Sequence, residues 1–140
     1  MNQISRLLAV AVAALPAACT HDSFTPNLSS VAGDYHLQAL TVTDIGSTRD
    51  WVAMGATMTI TLAPNGTTTG HLFMPGADVG GSDLDVNLEG YWTVSGQSVE
   101  FIQLYYSFVQ DVTFFATDKR LEGNHAFGLT GVSTRIVLTK

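Results

Sequence analysis

The sequence predicts an all-β chain folded as an eight-stranded antiparallel up-and-down barrel, and three features carry that expectation. After residue 30, apolar and polar residues alternate with period two, the spacing that buries one strand face and wets the other. Short Gly- and Asn-containing turns separate the alternating runs, as tight hairpins require. No later segment shows a convincing helical stripe, so nothing is present to cover a parallel sheet. A sandwich fits the same pattern, but a closed barrel is favoured because it removes the unpaired edges of the first and last strands.

The strands follow in order. Residues 33–43 form the first. The loop 44–56 carries one short turn around residues 51–54. Met58, Ile60 and Leu62 then alternate with Thr57, Thr59 and Thr61, a half-buried strand. Pro64-Asn65-Gly66 reverses the chain, because Pro presets φ and Asn-Gly tolerates positive φ. Residues 67–74 return as its partner. In the strand 84–94, Leu84, Val86, Leu88, Trp92 and Val94 share one face with Gly90; a glycine there marks a sharp bend or a bulky neighbour. Ser95-Gly96-Gln97 is the next turn, followed by strands 98–104 and 110–116, the latter with Val112 and Phe114 on one face. Residues 117–120 are a polar turn. Strands 121–129 and 132–139 complete the eight, joined near Thr130-Gly131. The expected interior is Met58, Ile60, Leu62, Val86, Leu88, Trp92, Val112, Phe114 and Ile136.

The 140 residues suit one domain. With 46% hydrophobic and 13% charged residues the chain is not of a disordered type. A net charge of −6 argues against a nucleic-acid partner. One Cys excludes an internal disulfide and a thiolate zinc site.

Residues 1–18 read as a signal peptide. Arg6 precedes an apolar run from Leu7 to Ala18, interrupted only by Pro16, about 18 Å long as a helix and too short to span a bilayer. Leu15-Pro16-Ala17-Ala18-Cys19 resembles the bacterial lipobox, with Pro16 where that pattern has Leu. The resemblance implies cleavage ahead of Cys19 and lipid on its sulfur. Ordinary secretion is the alternative, with a cut after Ala13 or Ala14 and Cys19 left as a free thiol. Cleavage at Cys19 removes Arg6 and no acid, taking the charge from −6 to −7. Thr20 follows in place of the Asp associated with inner-membrane retention, which favours the outer membrane, facing the periplasm. Residues 19–30 read as the lipidated Cys and a flexible tether, and 31–140 as the barrel domain.

Val31-Ala32-Gly33-Asp34-Tyr35-His36-Leu37 resembles the Gly-x-Trp opening of lipocalins and lipocalin-like small bacterial lipoproteins, with Tyr35 in the Trp position. The Pro64-Asn65-Gly66 hairpin, Tyr91-Trp92-Thr93-Val94-Ser95-Gly96, Leu121-Glu122-Gly123 and Thr134-Arg135-Ile136-Val137-Leu138 fit the same order. The resemblance implies a closed barrel end covered by Tyr35, with Arg135 stacked on it as a cation on an aromatic ring.

No reaction group stands out. Gly-x-Ser-x-Gly is absent, and His21, His36, His71 and His125 lack paired ligand spacing, so neither enzyme chemistry, a metal site nor a cofactor is expected. Asp78, Asp83 and Asp85 lie in a glycine-rich loop that reads as a solvated hairpin, with Ca²⁺ binding as the alternative. Residues 102–109 are apolar on both strand faces. Either they are core, or Tyr105, Tyr106 and Phe108, with Trp51 from the long loop, form the contact with a ligand or partner. The expected function is a lipid-anchored envelope protein that binds a small hydrophobic or amphiphilic ligand. The alternative is a periplasmic interaction or inhibitor protein, of the lysozyme- or protease-inhibitor type, with a filled barrel.

Overall fold

The computed structural model describes residues 24–105, 109–127 and 131–140. It is a closed eight-strand antiparallel barrel with two extra strands and almost no helix. A short helix, α1 (Leu28–Val31), precedes β1 (Gly33–Asp44), β2 (Ser47–Asp50), β3 (Thr57–Leu62), β4 (Thr67–Met74), β5 (Leu84–Asn87), β6 (Gly90–Ser95), β7 (Ser98–Gln103), β8 (Phe114–Ala116), β9 (Arg120–Phe127) and β10 (Val132–Thr139). The wall runs β1-β3-β4-β6-β7-β8-β9-β10, and β10 pairs back onto β1. That last ladder, from His36↔Thr139 to Thr43↔Ser133, leaves neither of these strands with an open edge along those residues. No helix among the described residues is long and apolar enough to cross a membrane.

Alternation sets which side chains go inside. In β3 every second residue is buried, and these are Met58, Ile60 and Leu62. Leu88, Trp92, Val112, Phe114 and Ile136 are buried as expected, while Val86 is partly buried against the same core. Phe101 and Phe114 meet edge to face, with ring centroids 5.3 Å apart and planes at 85°, the preferred arrangement for aromatic quadrupoles. The Trp92 indole N–H donates to the Ala63 carbonyl at 2.9 Å, satisfying the polar atom of the largest buried side chain.

Several elements differ from the sequence reading. The segment 84–94 is interrupted at Leu88–Glu89, so β5 and β6 are distinct. Their register against β4 is nonetheless continuous: His71 faces Asn87 and Thr68 faces Gly90, three residues on along each strand. Strand 110–116 shrinks to Phe114–Ala116, because Val109 to Val112 forms a turn closed by the Val112 N–H on the Val109 carbonyl. The loop 44–56 contains a strand, β2, hydrogen-bonded to the last four residues of β1.

One end of the barrel is plugged. Asn27 Oδ1 accepts from the backbone N–H groups of Ser29 and Ser30, and Ser30 Oγ accepts from the Asn27 N–H, a capping box that starts α1. Val31 is fully buried, Pro26 is buried and Phe24 packs on the core. Three bonds fix this segment to the barrel: Tyr35 Oη to the Val31 carbonyl at 2.7 Å, Gln97 Nε2 to the Phe24 carbonyl at 3.4 Å and Lys140 Nζ to the Ser30 carbonyl at 2.8 Å. The stretch read as tether is therefore packed against the barrel from Phe24 onward.

The cation over Tyr35 also differs from the expectation. It is Lys140, whose Nζ lies 5.4 Å from the ring centroid. Arg135 instead binds Glu122, its Nε 2.8 Å from Oε1, while Arg120 takes Oε2. The reason is register. Arg135 faces Asn124 across β9–β10 and Glu122 is nearby on the same outer surface, whereas Lys140 follows β10 to the plugged end beside Tyr35. Burial alone pushes the Glu122 carboxyl up, but the Arg135 hydrogen bond and the two guanidinium charges outweigh it and hold the carboxyl below its usual range.

Candidate functional site

The opposite end of the barrel is formed by β1–β2 on one side and the β4–β5 hairpin on the other. Across β1–β2, Val42 faces Arg49 and Asp44 faces Ser47. These four share the strand face that Leu40 turns into the core. Thr43 and Thr48 take the other face, with their hydroxyl oxygens 3.0 Å apart. On the β4–β5 side, Met74 faces Leu84, and both are buried.

Trp51 closes the floor between these walls. Its N–H donates to the Leu40 carbonyl at 2.9 Å, and its carbonyl accepts from Met54 and Ala56. Asp50 Oδ1 accepts from the Ala53 N–H at 3.1 Å. These bonds hold residues 51–55 in a fixed turn, matching the short turn expected there. The Trp51 side chain is buried, with 7% of its surface exposed. The Arg49 guanidinium lies over its ring, 5.3 Å from the centroid.

Between the walls is a cavity of about 280 Å³, at the lower limit of small-ligand sites. Val42, Trp51, Met74, Ala77 and Leu84 give it apolar walls, and Asp44, Ser47 and Arg49 supply the polar groups. One buried donor here lacks a partner. The Trp51 indole N–H, a buried atom, has no acceptor among the described residues. Arg49 has no carboxylate at ion-pair distance among them either. Asp44 Oδ1 accepts the Ile45 N–H at 2.6 Å. An unsatisfied buried donor costs about 1–3 kcal/mol.

Of the residues singled out from sequence, Trp51 lines this cavity. Tyr105 lines a separate depression with Val86, Asn87 and Glu89, and is 78% exposed. The structure does not bring Trp51 and Tyr105 into one pocket. Tyr106, Phe108 and Cys19 lie outside the described residues. The sequence reading missed Arg49, because Ser47-Thr48-Arg49-Asp50 is polar throughout and carries no alternation. Only its pairing with β1 places Arg49 on the same face as Val42.

The acidic loop is held by its own carboxylates. Asp78 Oδ1 accepts from the Val79 N–H, Asp83 Oδ1 from the Gly76 N–H, and Asp85 pairs with His71 at 2.6 Å. Among the described residues no three His, Cys, Asp or Glu side chains are grouped to hold a metal ion.

The outer wall carries an apolar strip. Tyr91 and Ile102 are direct cross-strand partners, 52% and 57% exposed, and Leu104 follows on the same face at 57%. This is where the two-faced apolar run of the sequence emerges: Phe101 is inside and Ile102 outside.

No protein-family model, curated protein or solved structure matches the chain.

Proposed function

We propose that this chain is a lipid-anchored envelope protein whose barrel binds a small hydrophobic or amphiphilic ligand at its open end. The observation that carries the reading is the cavity beside Trp51, where apolar walls meet the polar side chains of Asp44, Ser47 and Arg49. Ligand sites combine these features: mostly apolar lining with a few convergent polar groups. The remainder of the barrel is filled by Trp92, Phe101, Phe114 and the aliphatic residues around them. The ligand is accordingly small, or only part of a larger molecule enters. The lipobox resemblance at Cys19 supports the anchor and the periplasmic location.

A second reading has its own observation. The exposed strip of Tyr91, Ile102 and Leu104 suits a protein partner, in which case the protein acts as an interaction or inhibitor module. Native mass spectrometry of the protein recovered from cell envelopes separates the two. A co-purified small molecule supports ligand binding, and a protein adduct supports the second reading. A bare protein that also takes up no added amphiphile contradicts the first.

A further inference from the structure

We infer, on the reading that Cys19 carries the lipid anchor, that the barrel lies on its side with the outer wall of β6, β7 and β8 against the bilayer. This places Tyr91, Ile102, Leu104 and Phe115 in a head-group layer of zwitterionic lipid.

Three observations converge. The first is the length of the leash. Cys19 precedes Phe24 by five residues, which span at most about 18 Å in any conformation. Phe24 is packed on the core, and its carbonyl accepts from Gln97 Nε2 in the β6–β7 turn. A lipid on Cys19 is thus held within that reach of this turn. The second is what lies beside the exit. The Gln97 carbonyl accepts the Ala116 N–H, and Phe115, paired with Ser98, points outward with 55% of its surface exposed. Farther along the same wall Tyr91 and Ile102 face each other and Leu104 follows. Exposed aromatic and aliphatic side chains suit a membrane interface, tyrosine with its hydroxyl in the wet layer. The third is charge. No Lys, Arg or His occurs from Leu72 to Asp118. Glu100, opposite Thr93, and Glu89, whose carbonyl accepts the Leu104 N–H, are exposed on this wall. Carboxylates are repelled by anionic lipid and attracted to the ammonium groups of zwitterionic heads.

A barrel standing on its plugged end also satisfies the leash. That end presents Lys119, Lys140 and the polar residues of α1, and its exposed large apolar side chain among the described residues is Leu28, at 39%. Laid on its side, the barrel covers four such side chains; stood on its end, it covers one. The larger apolar area selects the side.

Site-directed labelling of the protein purified from membranes tests this. Cys19 is the only cysteine and lipid blocks its sulfur, so an introduced cysteine is the single free thiol. Ile102→Cys, Phe115→Cys, Thr59→Cys and Lys119→Cys, all at exposed positions, carry a polarity-sensitive fluorophore in vesicles of phosphatidylcholine and phosphatidylethanolamine. Labels at 102 and 115 are expected to shift to the blue and to be quenched by nitroxide lipid. Those at 59, on the far wall, and 119, on the plugged end, are expected to keep their aqueous emission. Mixing in anionic phosphatidylglycerol is expected to reduce the two shifts. A shift at 119 without one at 102 stands the barrel on its end and overturns the side-on contact. Aqueous emission at 102 and 115 overturns it too, and shielding of these positions in intact envelopes then assigns the strip to a protein partner. Shifts that phosphatidylglycerol leaves unchanged or enlarges overturn the choice of zwitterionic lipid. In all these cases the anchor reading stands. Labelling of the parent itself, which requires a free Cys19 thiol, or loss of the protein from the vesicles overturns the anchor reading and the contact with it.

Discussion

Lys140 Nζ lies 5.4 Å from the centre of the Tyr35 ring and donates to the Ser30 carbonyl at 2.8 Å. Tyr35 Oη in turn donates to the Val31 carbonyl at 2.7 Å. The two side chains lock β1, the segment after β10 and the plug helix into one closed end. Replacing Lys140 by Met removes the cation and the hydrogen bond but keeps much of the stem that lies over Gly33. We expect a loss of about 1–2 kcal/mol. Arg135→Met breaks only the half-exposed pair with Glu122 and is expected to cost under about 1 kcal/mol. Urea unfolding of the two variants checks the order, which reverses if Arg135 is the cation that matters to Tyr35.

Burial pushes the Tyr35 phenol well above its ordinary value, with the Asp118 charge adding to it. The folded state therefore holds the phenolic proton where the unfolded chain has lost it. The stability this gives is complete below about pH 10, the ordinary tyrosine value, and declines above it. Burial lowers the Lys140 pKa, which acts in the opposite sense, so the effect is read by comparing Tyr35→Phe with the parent. The phenylalanine variant is expected to be less stable at neutral pH by about 1 kcal/mol, and the gap to narrow above pH 10. A gap that stays constant through alkaline pH-dependent unfolding excludes this role.

At Gly90 the neighbouring backbone leaves no room for a side chain. A Cβ there would fall on the Ile102 carbonyl oxygen and 3.0 Å from the Gln103 Cα, both backbone, so no rotamer change relieves it. Gly90→Ala is expected to cost about 3 kcal/mol or more. Gly96, in the β6–β7 turn at φ +60°, has nothing within 4 Å of such a Cβ, and its alanine variant is expected to lose only about 1–2 kcal/mol. Denaturant midpoints of the two proteins test the contrast.

Much of the fold was legible because alternation was regular. Thr57 to Leu62 gave its inward residues one for one, and the run from Leu84 to Trp92 kept its register even where the ladder breaks. The polar strand Ser47–Asp50 was not legible, since all four residues are polar and exposed and its presence depends on pairing with β1. The docking of Phe24 and Pro26 was hidden for a similar reason: it rests on capping and on contacts with residues far along the chain. Of the residues singled out for the site, Trp51 lines the open-end cavity and Tyr105 lines a different depression. Arg49 became visible only through its place over the indole.

Cys19 carries the prediction about location. Multiple acyl chains anchor a protein where one chain holds it only marginally. Cys19→Ala is expected to move the protein from the membrane fraction to the soluble periplasm or to block processing. A Cys19→Ala variant that is processed and fractionates with membranes rules out the lipid anchor.

The most direct test of ligand binding at the open end is calorimetric titration of the parent, Ala77→Trp and Tyr105→Ala with octanoate and octanol. Ala77 lines the cavity, so tryptophan there fills it, whereas Tyr105 is exposed outside it. The account predicts one-to-one binding by the parent, retained in Tyr105→Ala and lost in Ala77→Trp. Binding that persists in Ala77→Trp, or that disappears in Tyr105→Ala, would contradict it.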